Sequence, residues 1–148
     1  MNEILNTMHK RKRDRRFLAW YRLLRIVKKG IGYISPSFAD AGLSRSQFDL
    51  LGAIAMDEGQ TQQVYAERMT VTKGNITQQL DRLEKRGLAM RRKEGRSNYL
   101  YLTESGWEVI GRITPNHDDL LFEMFAPLTA DEITQLTRIL RKLEQNIE

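Results

Sequence analysis

The chain has 148 residues, a formal net charge of +5 and no cysteine. A chain of this length suits one domain, and it buries about 70% of its unfolded surface, so it can form a core without cross-links. The absence of cysteine excludes disulfides, zinc–thiolate sites and thiol catalysis by this chain. Residues 1–16 lack the apolar segment of a secretory signal, and no apolar run is long enough to span a bilayer, so we expect a cytoplasmic protein.

The positive charge is concentrated in the middle of the chain. Residues 61–103 contain nine Lys and Arg against four Asp and Glu, a net charge of +5. Residues 104–148 contain four against nine, a net charge of −5. A polyanion is therefore the expected partner of the middle segment.

The N-terminal part begins with a basic run and continues as an amphipathic helix. Residues 9–16, HKRKRDRR, are either a solvated terminus or an arm that contacts phosphate. From Phe17 to Ile34 the apolar residues recur at helical spacing. Ser35-Pro36 is expected to end this helix, because proline disfavours helical backbone in the residue before it.

Three further helices begin at polar caps. Ser44 with Gln47 has the spacing of a capping box, and the helix that it begins should end near Gly59. Thr61 begins a short helix, and after a break at residues 69–71 Thr72 begins another, which extends to Arg86.

Two strands are predicted next, followed by the C-terminal helices. Residues 88–93 and 97–102 alternate in polarity and flank Glu94-Gly95, a dipeptide typical of hairpin turns. Thr103 should begin a helix, and Thr114-Pro115 predicts a kink or a new helix. A capping box at residues 129–132 begins a last helix with an apolar seam at Ile133, Leu136, Leu140, Leu143 and Ile147.

A helix, a turn, a second helix and a basic hairpin make up the layout of a winged helix-turn-helix, which places one helix in the DNA major groove. We therefore predict a mostly α-helical chain with a small β-hairpin wing. Residues 1–148 are expected to form a single domain, with the DNA-binding part at residues 43–103. Residues 1–35 and 104–148 should form the helical dimerisation part.

The helix after Thr72 carries groups that can read DNA. Its apolar residues fall on one face, and the opposite face and its flanks carry amides, hydroxyls and cations. Asn and Gln can pair with adenine edges, Thr can contact bases or phosphate, and Arg and Lys at the C-terminal end suit phosphate. An ordinary amphipathic helix with a solvated face is the alternative. The candidate contacts in this helix are Thr72, Lys73, Gly74, Asn75, Thr77, Gln78, Gln79 and Arg82.

Four cations surround the hairpin turn, where crowded like charges are unfavourable unless a polyanion neutralises them. Charges that protect an exposed strand edge are the alternative, but one or two lysines suffice for that purpose. The candidate contacts in the hairpin are Arg91, Arg92, Lys93, Arg96 and Ser97.

The segments LDRLEKRGLAMR and EGRSNYLYLTESG resemble the signature of the MarR family of bacterial transcriptional regulators, and the resemblance covers residues 43–106. It implies a homodimer whose terminal helices interleave. Each subunit of such a dimer would contribute one winged helix that reads one half of a palindromic DNA site. The family usually carries Asp-x-Arg before the second strand of its wing. By resemblance, Arg96 is the wing arginine and Glu94 is the acid that orients it, in a hairpin shorter than is typical.

The resemblance also implies a small aromatic or lipophilic effector at the junction of the terminal helices and the winged part. The aromatic residues expected near that junction are Trp20, Tyr21, Tyr33, Phe48 and Trp107, for which core packing is the alternative.

No catalytic arrangement or cofactor motif is found. Gly30-Ile31-Gly32 has serine at position 35, where a dinucleotide fingerprint needs glycine. His117-Asp118-Asp119 is expected to be a polar first turn of a helix and not a metal site, because His9 is the chain's one other imidazole.

These features predict a homodimeric regulator that binds double-stranded DNA, with no metal and no cofactor, as a ligand-responsive repressor of a palindromic operator. The alternative is a winged-helix module that binds an acidic protein partner without binding DNA. An enzyme is the weakest interpretation. Retention on random duplex with steep salt dependence would distinguish the first two.

Overall fold

A computed structural model describes residues 14–147 of the chain. Its contacts divide the chain into two units, the first ending at Ser35 and the second beginning at Pro36. Within residues 14–147, no helix is long and apolar enough to cross a membrane. Residues 9–13 of the basic N-terminal run lie outside the described residues.

The described part of the first unit is one helix, α1 (Arg15–Ile34). The Asp14 carboxylate caps its first turn by accepting the backbone N–H of Arg16 at 2.8 Å. At the other end, the Ser35 backbone N–H donates to the Ile31 carbonyl, and the helix ends before Pro36, as the sequence predicts. Several of its large apolar side chains are exposed, namely Leu18, Trp20, Tyr21, Leu24, Ile26 and Val27.

The second unit contains six helices and one hairpin within its described residues. The elements are α2 (Pro36–Ala39), α3 (Arg45–Met56), α4 (Gln62–Arg68), α5 (Lys73–Lys85), β1 (Ala89–Glu94), β2 (Ser97–Leu102), α6 (Glu104–Phe125) and α7 (Ala130–Glu144). The mostly helical fold with a small hairpin is confirmed. The short α2 was not predicted.

Each of the predicted caps is confirmed. The hydroxyl of every capping residue accepts a backbone N–H from the third residue along the chain, which satisfies one of the free donors at a helix start. At Ser44 and Thr129 the third residue's side chain also accepts the cap's own N–H, which completes the capping box. The caps are Ser44, Thr61, Thr72, Thr103 and Thr129.

The hairpin differs from the prediction by one residue at its turn. Glu94 pairs with Ser97, so the two-residue turn is Gly95-Arg96 and not Glu94-Gly95. Gly95 has φ +60°, which glycine adopts without steric cost, and glycine at the first turn position is typical of type II′ hairpins. The segment before α4 extends the sheet, because Thr61 forms a bridge with Tyr99.

The core of the second unit lies where α3, α4 and α5 meet the hairpin. Its fully buried members are Leu50, Leu51, Ile54, Tyr65, Ile76, Leu80, Leu83 and Leu100. Burial of such side chains contributes roughly 1.5–3 kcal/mol each. The core therefore fixes α5 and the hairpin side by side and leaves their opposite faces for other contacts.

The C-terminal helices differ from the prediction in two respects. Of the two alternatives at Thr114-Pro115, a kink or a new helix, the new helix is excluded, because Pro115 lies inside the continuous helix α6. The Thr114 hydroxyl donates to the Ile110 carbonyl at 2.8 Å, a local bond that the sequence prediction did not consider. The apolar seam also ends earlier than predicted, because α7 ends at Glu144 and Ile147 lies beyond it.

Candidate nucleic-acid interface

The exposed face of α5 carries most of the residues predicted to read DNA. Lys73, Gly74, Gln78 and Arg82 are exposed, and Asn75 and Thr77 are partly exposed. The Thr72 hydroxyl accepts the Asn75 N–H at 3.1 Å. The inward face holds the apolar residues named above for the core, so α5 presents amides and cations along one side.

Gln79 does not belong to this exposed face. Its exposed fraction is 6%, and among the described residues its Oε1 has no hydrogen-bond partner. Gln79 lies three residues after Ile76 and four before Leu83, a spacing that places all three on the inward face of the helix. We therefore leave Gln79 out of the proposed DNA contacts, contrary to the sequence prediction.

The Arg91 side chain contacts α5 and is not directed into solvent. Its guanidinium forms ion pairs with Asp81 and with Glu84, the latter at 2.8 Å, and its backbone N–H also donates to Glu84. Partial burial lowers the pKa of the Arg91 guanidinium, but the hydrogen bonds to Glu84 and Asp81 outweigh burial and raise the pKa. Two neighbouring carboxylates neutralise this cation and join β1 to α5, so we leave Arg91 out of the proposed DNA contacts, contrary to the sequence prediction.

Two other arginines also have contacts within the fold. Arg86 donates to the carbonyls of Gly42 and Ala41, both at 2.8 Å, and so holds the loop before α3 against the end of α5. Arg92 lies over the Tyr101 ring, 4.5 Å from its centroid. This stacking leaves the N–H groups of Arg92 able to donate, whereas those of Arg86 are partly used.

Lys93 and Arg96, like Arg92, are exposed cations near the hairpin turn. Within residues 14–147, no ion pair joins the Glu94 carboxylate to Arg96. The expectation that Glu94 orients Arg96 therefore finds no contact to support it.

A polar groove connects the hairpin turn to the start of α5. Its lining residues are Thr61, Gln62, Gln63, Lys73, Arg96, Ser97 and Asn98. Of these, Thr61, Gln62, Gln63 and Asn98 were not predicted as site residues from the sequence. No periodicity or motif could have identified them, because the groove forms only when the hairpin folds against α4 and α5.

The candidate effector residues have different environments. Phe48 is buried and stacks on Phe38 at a centroid distance of 5.0 Å, so core packing is its role. Trp107 is 45% exposed on α6, in the same unit. Trp20, Tyr21 and Tyr33 belong to α1 in the other unit, and each is about half exposed or more.

His117 is partly buried within α6, with 19% of its side chain exposed, and it does not lie in the first turn of a helix as the sequence predicts. Its ring lies 4.9 Å from the Phe48 ring, and its Nδ1 lies 3.3 Å from the Asp118 carboxylate. Among residues 14–147, no group of three or more His, Asp or Glu is placed to hold a metal ion. His9 lies outside the described residues.

Comparison with known proteins agrees with this geometry. A family model described as the MarR family matches residues 41–97. An HTH-type transcriptional regulator from Bacillus cereus is 30% identical over 132 residues, which cover 88% of this chain and 90% of that protein.

Two solved structures share the fold. A mutant MarR from Escherichia coli, in complex with operator DNA, is 24% identical with a TM-score of 0.77 over 86% of this chain and 95% of that one. Bordetella bronchiseptica BpsR is 18% identical with a TM-score of 0.78, over 86% of this chain and 98% of that one. The DNA binding of BpsR is regulated by 6-hydroxynicotinic acid. The chain belongs to the MarR family and is a DNA-binding transcriptional regulator of the winged-helix type.

Proposed function

We propose that this protein is a homodimeric repressor that occupies a palindromic operator and leaves it when a small aromatic or lipophilic ligand binds. The observation that carries the proposal is the exposed face of α5, where amides and hydroxyls at the N-terminal end are followed by a cation, with the hairpin beside it. A face of this composition suits base edges in a major groove, and the hairpin cations suit the flanking backbone. Such a repressor would act in the cytoplasm.

The dimer is supported by the apolar seam of α7. Among the described residues of this helix none is buried, and Ile133, Leu140 and Leu143 are each more than one-third exposed. An exposed apolar seam at heptad-like spacing favours packing against another helix. A second copy of the chain is the proposed partner, because a two-fold dimer would set two α5 helices at the spacing of two operator half-sites.

Repression by steric exclusion follows from this arrangement. Two α5 helices must enter the major groove together, so a small change in their separation weakens both contacts at once. A ligand that binds the dimer better in the altered spacing would release the operator. BpsR, whose DNA binding is regulated by 6-hydroxynicotinic acid, supports a ligand of this chemical class. Exposed Trp20, Tyr21 and Trp107 are aromatic surfaces suited to it.

Fluorescence anisotropy on a duplex obtained by selection tests the ligand response. A panel of small aromatic acids, beginning with 6-hydroxynicotinic acid, would be titrated into the complex of the parent protein, Trp107→Ala and Tyr21→Ala. We expect at least one acid to release the duplex from the parent protein. The same release from at least one of the two variants should need a higher concentration of that acid. If no acid changes the affinity of the parent for DNA, ligand control by this class is wrong.

A further inference from the structure

The polar groove at the base of the hairpin brings together two cations from distant parts of the chain. Lys73 is the first residue of α5, and Arg96 is the second residue of the hairpin turn. Both line the groove, and none of its lining residues is acidic. Among residues 14–147, neither cation forms an ion pair with a carboxylate. Two like charges that face one groove repel each other until an anion enters it.

The groove also contains a buried amide donor without a partner. Gln62 is 6% exposed, and its Nε2 has no hydrogen-bond partner within the described part of the protein. Buried amide donors are nearly always paired, and an unpaired one is unfavourable. An oxygen acceptor in the groove would give this donor a partner once the amide turns toward it. The donor therefore favours an anion with several oxygen atoms over a simple halide.

The walls of the groove are fixed by the fold. Thr61 caps α4 and also forms a strand bridge with Tyr99 of the hairpin, which holds the α4 wall against β2. The Leu100 N–H donates to the Gln60 carbonyl at 3.0 Å and strengthens the same junction. Ser97 and Asn98 add a hydroxyl and an amide from β2. Rigid neutral donors together with two cations form a suitable environment for a phosphate group.

We propose that this groove holds a single phosphate of the DNA backbone, shared by Lys73 and Arg96, with Gln62 as a further donor. The inference rests on the DNA-bound regulator proposed above and deepens it. It assigns Arg96 to the DNA backbone beside the start of α5. One phosphate would then fix the hairpin and α5 in register on the duplex.

A double-mutant cycle tests the sharing of one phosphate. Lys73→Ala, Arg96→Ala and the double variant would be measured by anisotropy on a selected duplex over a range of salt concentrations. We expect each single change to weaken binding about tenfold, and the double change to weaken it by much less than the product of the two. The slope of log affinity against log salt should fall by about one in the double variant, since one phosphate contact is lost.

Lys85 provides the matched control, because it is an exposed lysine at the other end of α5. Lys85→Ala combined with Arg96→Ala should give fold-changes that multiply, as expected for separate contacts. The fold-changes in affinity caused by Lys73→Ala and Arg96→Ala could also multiply, and the two reductions in salt slope could add to about two. In that case the two residues contact different phosphates and the shared site is wrong.

Gln62→Met removes the amide at similar volume and tests the third donor. We expect several-fold weaker DNA binding with a melting temperature equal to or above that of the parent, because an unpaired donor is removed. Parental DNA affinity would overturn the role of Gln62. If the Lys73 and Arg96 variants lose binding of inorganic phosphate but keep parental DNA affinity, the groove is a free-phosphate site and its assignment to DNA is wrong. A parent protein that binds no duplex at all would instead contradict the proposed function.

Discussion

At the residue scale, Gly106 permits a close approach between α6 and the backbone of Leu88. It lies in the first turn of α6, where a Cβ atom would be 2.0 Å from the backbone carbonyl oxygen of Leu88. That oxygen accepts the Thr103 N–H at 3.2 Å, so it cannot move without loss of the junction between β1 and α6. The need for glycine here comes from this tertiary contact and not from a turn.

Gly106→Ala should therefore lower the free energy of unfolding by about 2–4 kcal/mol, in the range of severe overpacking. Gly111→Ala in the same helix is the matched control, because nothing lies within 4 Å of its added Cβ. The control should leave stability unchanged or raise it by about 0.5–1 kcal/mol through helix propensity. Chemical denaturation measures both, and equal effects of the two substitutions would contradict the close approach.

Gln78 is the residue for which sequence-specific reading is most directly testable. It is exposed on α5, and a glutamine amide can pair with both edge groups of an adenine. Gln78→Ala should reduce discrimination at one base pair by about 1–3 kcal/mol and leave the salt slope close to that of the parent. Competition between a selected duplex and singly substituted duplexes measures this. Uniform weakening on every duplex would show that Gln78 contacts the backbone instead.

At the element scale, Arg91 joins the hairpin to α5. Its partners Asp81 and Glu84 come from the side of α5 next to β1. Arg91 and Glu84 are partly buried, whereas the Asp81 side chain is 52% exposed. An alanine in place of Arg91 would leave two carboxylates close together without their cation. The orientation of the hairpin relative to α5 therefore depends on this arginine.

Arg91→Ala should reduce the free energy of unfolding by about 1–3 kcal/mol, between the values for exposed and buried pairs. It should also increase hydrogen exchange of the β1 and β2 amides. Lys93→Ala is the control, since Lys93 is exposed on the same strand and has the same sign of charge. The joining role would be wrong if the two variants have the same stability and the same exchange.

The sequence predicted those elements that depend on local chemistry. A capping residue and its third neighbour lie within one turn, so Ser44, Thr61, Thr72, Thr103 and Thr129 were identified from short patterns alone. The hairpin turn was displaced by one residue, because Glu94-Gly95 and Gly95-Arg96 both have the composition of a turn.

Features that depend on distant contacts were not predictable in the same way. Arg91 was assigned to DNA because its two carboxylate partners lie seven and ten positions away, on another element. Gln79 is different, because its spacing from Ile76 and Leu83 already places it on the inward face, and its assignment to a flank was an error of interpretation. The groove of Lys73 and Arg96 required the folded hairpin. The sequence therefore identified the elements on which the candidate site is proposed, but it could not show which of their side chains are already engaged within the fold.

At the scale of the whole molecule, the seam of α7 is the proposed contact with a second copy. Leu140 lies within the seam and is 40% exposed in one chain. Gln135 lies about 140° around the helix from Leu140 and is also exposed. Each can be replaced by glutamate with the same change in charge.

Leu140→Glu should shift the protein from dimer to monomer at micromolar concentration and weaken operator binding, because a charge would be buried in the seam. Gln135→Glu should remain dimeric. Size-exclusion chromatography with light scattering measures both masses. A parent protein that is monomeric at this concentration would contradict the proposed dimer.

Selection from a pool of random duplexes, with sequencing of the bound fraction, decides whether two copies of α5 read DNA together. If they do, the enriched motif has two-fold symmetry, and its half-site centres lie about one helical turn, roughly 10 base pairs, apart. Recovery of a single unsymmetrical site, or of no enriched sequence, would contradict joint reading by two copies.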